Sequence, residues 1–218
     1  MSTNVSEVQM SSGSFIDIVK QRRSVRVFDP SWTIGEEELR DILQTATLAP
    51  SSSNMQPWRF LVIQNAELKQ KLLPIAYNQQ QVVDASAVIV VLGDTKSYEK
   101  AETIYDAAVA AGYMTEAVKE DFVKRSVGLY SSLPSEVMKG IVQTDGGLVA
   151  MQLMLAAKAK GYDTVPMGGY DAAKLIEAFG IPSSYVPIML IALGKAAKEG
   201  HPTTRLPLEE VVFWDSIS

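Results

Sequence analysis

The sequence contains no cysteine, and that absence alone removes several chemistries. Without thiols there is no disulfide, no thiolate nucleophile, no iron–sulfur ligand and no cysteine zinc site. Histidine is almost as scarce, with His201 alone in 218 residues. A histidine metal cluster is therefore excluded, and His201 lies in Glu199-Gly200-His201-Pro202, which reads as a surface loop. No Gly-x-Ser-x-Gly motif is present to build a serine nucleophile elbow. No Gly-x-Gly-x-x-Gly follows the first strand and no Gly-Lys-Ser/Thr occurs, so neither a Rossmann dinucleotide site nor a P-loop is supported. Basic residues are outnumbered 20 to 25, a net charge of −5, which argues against nucleic-acid binding. No apolar run is long enough to span a bilayer, and the N-terminus lacks the order of a signal peptide. The expectation is a cytoplasmic protein with neither a nucleic-acid nor a membrane partner.

What is present begins with a charge cluster that runs against the acidic background: Arg22-Arg23-Ser24-Val25-Arg26. Three guanidinium groups and a hydroxyl stand where a predicted helix gives way to a predicted strand. Guanidinium forks match phosphate and stay charged in proteins, so an anion site is one reading. A basic helix end that complements the helix dipole is the other.

The apolar share of 47% and charged share of 21% fit one folded domain over 14–218. Residues 1–13 are polar and Ser-rich and are expected to be poorly ordered. Ser14 with Asp17 predicts a capping box, and Phe15, Ile18 and Val19 share the face of a first helix. Val25, Val27 and Phe28 suggest a short strand. Thr33 with Glu36 predicts a second capping box before the stripe Leu39, Ile42, Leu43, Ala46. Trp58–Ile63 and Ala87–Leu92 read as strands around a helix over 67–76, the one interval that looks like a helix crossover. From 94 to 134 the pattern weakens, and an excursion or lid stands beside a pair of ordinary surface helices. Thr144–Lys160 is apolar nearly all the way round, so it reads as core, with breadth enough to be buried against a second subunit. Strands over 163–166 and 185–193 flank a helix over 171–179. In the tail, Val211, Val212, Phe213 and Trp214 must pack on something.

Four polar clusters punctuate this pattern: Arg22–Arg26, Pro50–Gln56, Asn78–Gln81 and Pro166–Gly169. Thr203-Thr204-Arg205 is a fifth. Hydroxyls and amides orient ligands but make poor acids or bases at neutral pH. The Gly168-Gly169 pair can expose backbone N–H groups to an electron-rich ligand, or simply turn the chain from strand to helix. With the usual nucleophiles and metal ligands missing, a catalytic reading favours a cofactor that carries its own chemistry. Flavin mononucleotide (FMN) suits such a set: a dianionic phosphate, an imide edge and a flat ring.

The sequence resembles the nitroreductase family of FMN-dependent NAD(P)H oxidoreductases. The resemblance rests on Arg-Arg-Ser-Val-Arg-Val-Phe at 22–28, Ala-Pro-Ser-Ser-Ser-Asn-Met-Gln-Pro-Trp at 49–58, Asp84-Ala85-Ser86, Pro-Met-Gly-Gly-Tyr-Asp at 166–171 and Arg-Leu-Pro-Leu at 205–208. It implies an α+β fold with a central mixed sheet flanked by helices. It also implies an intertwined homodimer in which the arm 206–218 adds a strand to its partner. By the same resemblance Arg22 and Arg205 are phosphate ligands, with Arg23 and Ser24 at the phosphate and ribityl chain. Arg26 is the cation near flavin N1 and O2. Pro50, Ser51, Ser52 and Asn54 come from the other subunit, Asn78 and Gln81 face the pyrimidine edge, and Pro166, Met167, Gly168 and Gly169 form the loop beneath the ring. The implied reaction passes a hydride from NAD(P)H through the flavin to a small electron acceptor such as a nitroaromatic or quinone. A specialised enal or semialdehyde reductase, a reductive dehalogenase, and a flavin store or sensor without turnover remain as alternatives. Some well-known members carry lysine, glutamate and lysine where this chain has Gln81, Gly168 and Thr203.

Overall fold

A computed structural model describes residues 14–217. The expected disorder of 1–13 concerns residues outside that range. The chain opens with α1 (Phe15–Gln21), capped reciprocally by Ser14 and Asp17 as the sequence predicts. There follow β1 (Val27–Phe28), α2 (Glu36–Ala46), β2 (Trp58–Ile63), α3 (Ala66–Ile75), α4 (Gln81–Asp84) and β3 (Ala87–Asp94). Next come α5 (Ala101–Ala110), α6 (Glu116–Ser132), α7 (Ser135–Ala159), β4 (Asp163–Met167), α8 (Ala172–Phe179), β5 (Tyr185–Gly194) and β6 (Ala196–Lys198).

The main sheet has the order β2-β3-β5-β4, and a small second sheet pairs β1 with β6. β3 lies inside it and every one of its residues is buried. Its even positions Val88, Val90 and Leu92 pack with Leu72 and Ile75 of α3 and Leu175 of α8. Its odd positions Ala87, Ile89 and Val91 pack with Ile42 of α2 and Val149 and Leu153 of α7. Burial on both faces explains why this strand reads as a continuous apolar run rather than an alternating one. A third cluster joins Tyr105, Tyr130, Met138 and Val142 from α5, α6 and α7.

Three expectations are corrected. The segment between β2 and β3 is no crossover, because these strands pair antiparallel. Apolar periodicity carries no information about strand direction, and antiparallel neighbours need no connection across the sheet. All four strands of the main sheet pair antiparallel, and the parallel component is an isolated bridge between Ser24 and Thr164. The capping box at Thr33 does not form: Gly35 is the N-cap, with no side-chain cap. Glu36 is then the first helical residue, too early to reach back, and it pairs forward with Arg40 at 2.7 Å. Finally, α7 begins at Ser135 rather than Thr144, extending 25 residues along the molecule.

α7 has two faces. Val149, Ala150, Leu153, Met154 and Ala157 are buried in the core, whereas Leu148 and Met151 are 44% and 39% exposed. Together with Phe15, Ile18, Pro50 and Leu155 the outer face lines an open apolar groove of about 520 Å³. The tail aromatics are exposed too, Phe213 at 57% and Trp214 at 83%. No helix of the described residues is long and apolar enough to cross a membrane.

Candidate functional site

Arg22–Arg26 leaves the end of α1 and runs beside β4. Buried Val25 and Phe28 anchor the stretch, Val25 N donates to Thr164 O at 3.1 Å, and Ser24 bridges Thr164. Arg22, Arg23 and Ser24 are half-buried and Arg26 is exposed. Arg23 Nη1 donates to the carbonyls of Lys20 and Arg22, so part of this residue closes the helix end. The dipole reading of the cluster therefore holds for Arg23. Among the described residues, however, none of Arg22, Arg23, Arg26 and Arg205 takes part in an ion pair. In an acidic chain these are cations free to meet an anion.

The far end of the chain is brought to this stretch by β6. Val27 pairs with Lys198 and Phe28 with Ala196, and the next residues pass directly over Arg23 and Ser24. Gly200 permits that approach: a Cβ there would lie 2.6 Å from Arg23 Cβ and 3.1 Å from Ser24 O. Gly200→Ala must therefore displace backbone or the root of Arg23. Overpacking of this kind costs about 1–3 kcal/mol, and the melting temperature in differential scanning calorimetry should fall by about 2–12 °C. Five residues on, Arg205 is exposed, and its Nη1 donates to Thr203 Oγ1 at 2.8 Å and Thr204 O at 2.6 Å.

β4 also delivers Pro166–Gly169 to the Asn78–Gln81 turn. Asp171 N donates to Ile75 O at 2.9 Å, tying the start of α8 to the end of α3. Gln79 Nε2 donates to Gly169 O at 2.8 Å. Gln81 is only 7% exposed, and its Nε2 donates to Gln79 Oε1 at 3.0 Å and Met167 Sδ at 3.3 Å. Its donors are thus spent inside the protein, and only its carbonyl oxygen remains for a ligand. Gly168, Gly169 and Asn78 are exposed, and Asn78 sits at φ 56°.

Pro50–Asn54 stands apart from these clusters and is held by other elements. Asp145 of α7, 2% exposed, accepts from Ser52 N at 3.1 Å and from Ser52 Oγ at 3.1 Å. Burial pushes its carboxyl pKa up, against the opposing pull of the Ser52 donors. Tyr105 OH donates to Ser53 O at 2.9 Å and Tyr130 OH donates to Ser53 Oγ at 2.8 Å. Ser53 and Asn54 also border a mainly apolar pocket of about 430 Å³ between α5 and α6, lined by Tyr105, Met114, Phe122 and Arg125. Among the described residues no group of three or more His, Asp or Glu side chains could hold a metal ion.

The structure therefore gathers three of the five sequence clusters around β4, leaves Pro50–Asn54 outside them, and brings the chain that leads to Thr203–Arg205 against Arg23 as far as Gly200. The sequence reading missed Asp145 and Gly200, and named Gln79 only as part of the Asn78–Gln81 cluster. A signal existed for the first, since Asp145 is the one carboxylate in the largely apolar stretch 144–160.

A sequence profile described as the nitroreductase family matches residues 19–195. YdgI of Bacillus subtilis, provisionally named an NAD(P)H nitroreductase, is 47% identical over 93% of this chain and 98% of its own. The crystal structure of a protein from Exiguobacterium sibiricum in complex with FMN is 48% identical, with a TM-score of 0.90 over 94% of this chain and 99% of that one. A CLA biosynthesis enone reductase from Lactiplantibacillus plantarum is 36% identical over 87% of this chain and 88% of its own.

Proposed function

Because this chain belongs to the nitroreductase family, we propose that Arg22, Arg23, Ser24 and Arg205 hold the phosphate end of FMN. The chain is an NAD(P)H-dependent oxidoreductase of that family, and FMN is its cofactor. The observation that carries the proposal is a set of four arginines without a carboxylate partner among the described residues, three of them in a stretch joined through β4 to an amide turn and a glycine loop. That donor set fits a molecule with a dianion at one end and hydrogen-bonding edges at the other.

When bound, FMN supplies the hydride transfer from NAD(P)H to an electrophilic acceptor such as a nitroaromatic or a quinone. The protein's residues bind and orient. Arg26 contributes positive charge at the pyrimidine end, where negative charge grows on reduction. The Gln81 carbonyl oxygen and Asn78 would meet the imide edge, and the Pro166–Gly169 loop would offer the N–H groups of Gly168 and Gly169 to the ring. No side chain is assigned as an essential acid or base.

The protein works in the cytoplasm as a homodimer, with α7 at its centre and the 206–218 arm laid on the partner. Pro50–Asn54 then completes the flavin site of the other subunit. Support comes from the apolar outer face of α7, from the exposed Phe213 and Trp214, and from the separation of Pro50–Asn54 from the other clusters.

The test is direct. Purified protein should be yellow, and NADH or NADPH added without oxygen should bleach the flavin. Nitroaromatics or quinones should then restore the colour. A bound flavin that neither nucleotide bleaches would point to a store or sensor. A colourless protein that cannot be reconstituted with FMN would defeat both readings. Enones belong in the acceptor panel, because the Lactiplantibacillus plantarum relative is an enone reductase. An enone turned over much faster than nitro compounds or quinones would favour the more specialised reductase.

A further inference from the structure

The Pro50–Gln56 loop has a backbone that its own residues disfavour. Ser53, Asn54 and Gln56 lie at φ 47°, 54° and 46°. Asparagine tolerates the left-handed region because its short amide can hydrogen-bond locally, but serine and glutamine adopt it rarely. Such conformations persist only where the surroundings over-determine them.

Here three helices do so. From α7, Asp145 takes the backbone N–H and the hydroxyl of Ser52. From α5, Tyr105 holds the carbonyl of Ser53, and from α6, Tyr130 holds its hydroxyl. All three side chains are at least nine-tenths buried. Tyr105 OH has one proton, which it gives to Ser53 O, so Ser126 Oγ donates to it at 3.3 Å. Asp145 faces no cation among the described residues: the hydrogen bonds to its carboxylate come from Ser52. A buried carboxylate without a counter-charge is an expensive way to join a helix to a loop, and an apolar contact would serve stability better. What the carboxylate adds is direction, since it fixes two donors of one residue at once.

We propose that Asp145, Tyr105 and Tyr130 are positioning residues for FMN, acting through Ser52 and Ser53 to keep the Pro50–Asn54 loop in its cofactor-binding shape. This rests on the reading above that the loop contacts FMN. The clamp also ties flavin binding to α5 and α6, which line the neighbouring apolar pocket. Without it the loop relaxes towards ordinary backbone, and only a fraction of molecules present a competent site. Apparent affinity falls by that fraction, with intrinsic contacts unchanged.

FMN titration of the full-length protein by quenching of free-flavin fluorescence, with visible circular dichroism at saturation, tests this. Asp145→Ala should raise the FMN Kd by about ten- to a hundredfold and Tyr130→Phe by about three- to tenfold, as expected for lost buried hydrogen bonds. Both should alter the dichroism of the bound flavin. Asp145→Asn keeps an oxygen for Ser52 and should stay within about threefold of wild type. Should the alanine variant fail to fold, Tyr130→Phe leaves no cavity and carries the test. Wild-type affinity and dichroism in Tyr130→Phe and Asp145→Ala would overturn the proposal, as would an asparagine variant as weak as alanine. A wild-type protein that takes up no FMN would overturn the flavin reading itself, and this inference with it.

Discussion

The double substitution Leu148→Asp and Met151→Asp should leave a folded monomer that binds FMN at least about a hundredfold more weakly than wild type. Both side chains stand on the outer face of α7 and line an apolar groove that the protomer leaves open. Burying a leucine or methionine there contributes about 1.5–3 kcal/mol, and a two-fold interface counts each position twice. Aspartate removes that gain and adds four charges that would have to be desolvated without partners. Neither residue belongs to the sheet-facing core, so the protomer should keep its helical circular dichroism. Flavin binding should fail because each site would lose the Pro50–Asn54 loop of the other subunit. Sedimentation velocity and FMN titration of the same sample provide the check. A variant that remains dimeric would show that α7 is not the interface. A monomer with wild-type FMN affinity would show that one chain suffices for the site.

Removing both Arg22 and Arg205 should weaken FMN binding by about 10²–10⁴-fold, since each hydrogen bond to a charged group is worth about 1.5–3 kcal/mol. Neither has a carboxylate partner among the described residues, so no internal ion pair is broken by its loss. Arg205→Ala alone should already have a strong effect. The neighbouring Thr203 offers only a hydroxyl, already an acceptor for Arg205, and no charge to share the load. Arg205→Lys should recover only part of the affinity, because a point charge cannot form the bidentate fork. If both arginines meet one phosphate, the double variant should deviate from the sum of the single ones. Riboflavin provides the control, being the same ring and ribityl chain without the phosphate. Its affinity should change little in any of these variants. An equal loss for riboflavin would assign the arginines to scaffold rather than phosphate, and unchanged FMN affinity in Arg205→Ala would leave the work to Arg22 and its neighbours.

Much of the fold was legible because its signals are local. Ser14 and Asp17 are three residues apart and cap the same turn. Asp171 and Gly180 bound α8 through a side-chain acceptor and a left-handed residue at φ 61°. Trp58–Ile63 is a strand from end to end as the sequence reads. The errors were of another kind. Glu36 was three residues from Thr33, but the helix start was decided by how the preceding chain docks, with Ile34 N donating to buried Ser86 Oγ at 2.6 Å. The early turns of α7 were overlooked because Met138 and Val142 are buried against α5 and α6, whose own pattern is weak.

The candidate site divides along the same line. By itself the sequence determined the chemical inventory: no thiol, no histidine cluster, a local excess of arginine, two amide-rich turns and a glycine pair. Those are properties of side chains and hold in any fold. Only the tertiary structure decided which of them meet. Ser24 lies beside Thr164, Gln79 reaches Gly169 across 90 residues, and Gly200 rests on Arg23. Asp145 and Tyr130 close on Ser52 and Ser53 from 93 and 77 residues away. Such pairings leave no periodicity in the chain, because they are fixed by how helices and strands bury their apolar faces. The polar groups those faces carry are brought together as a consequence.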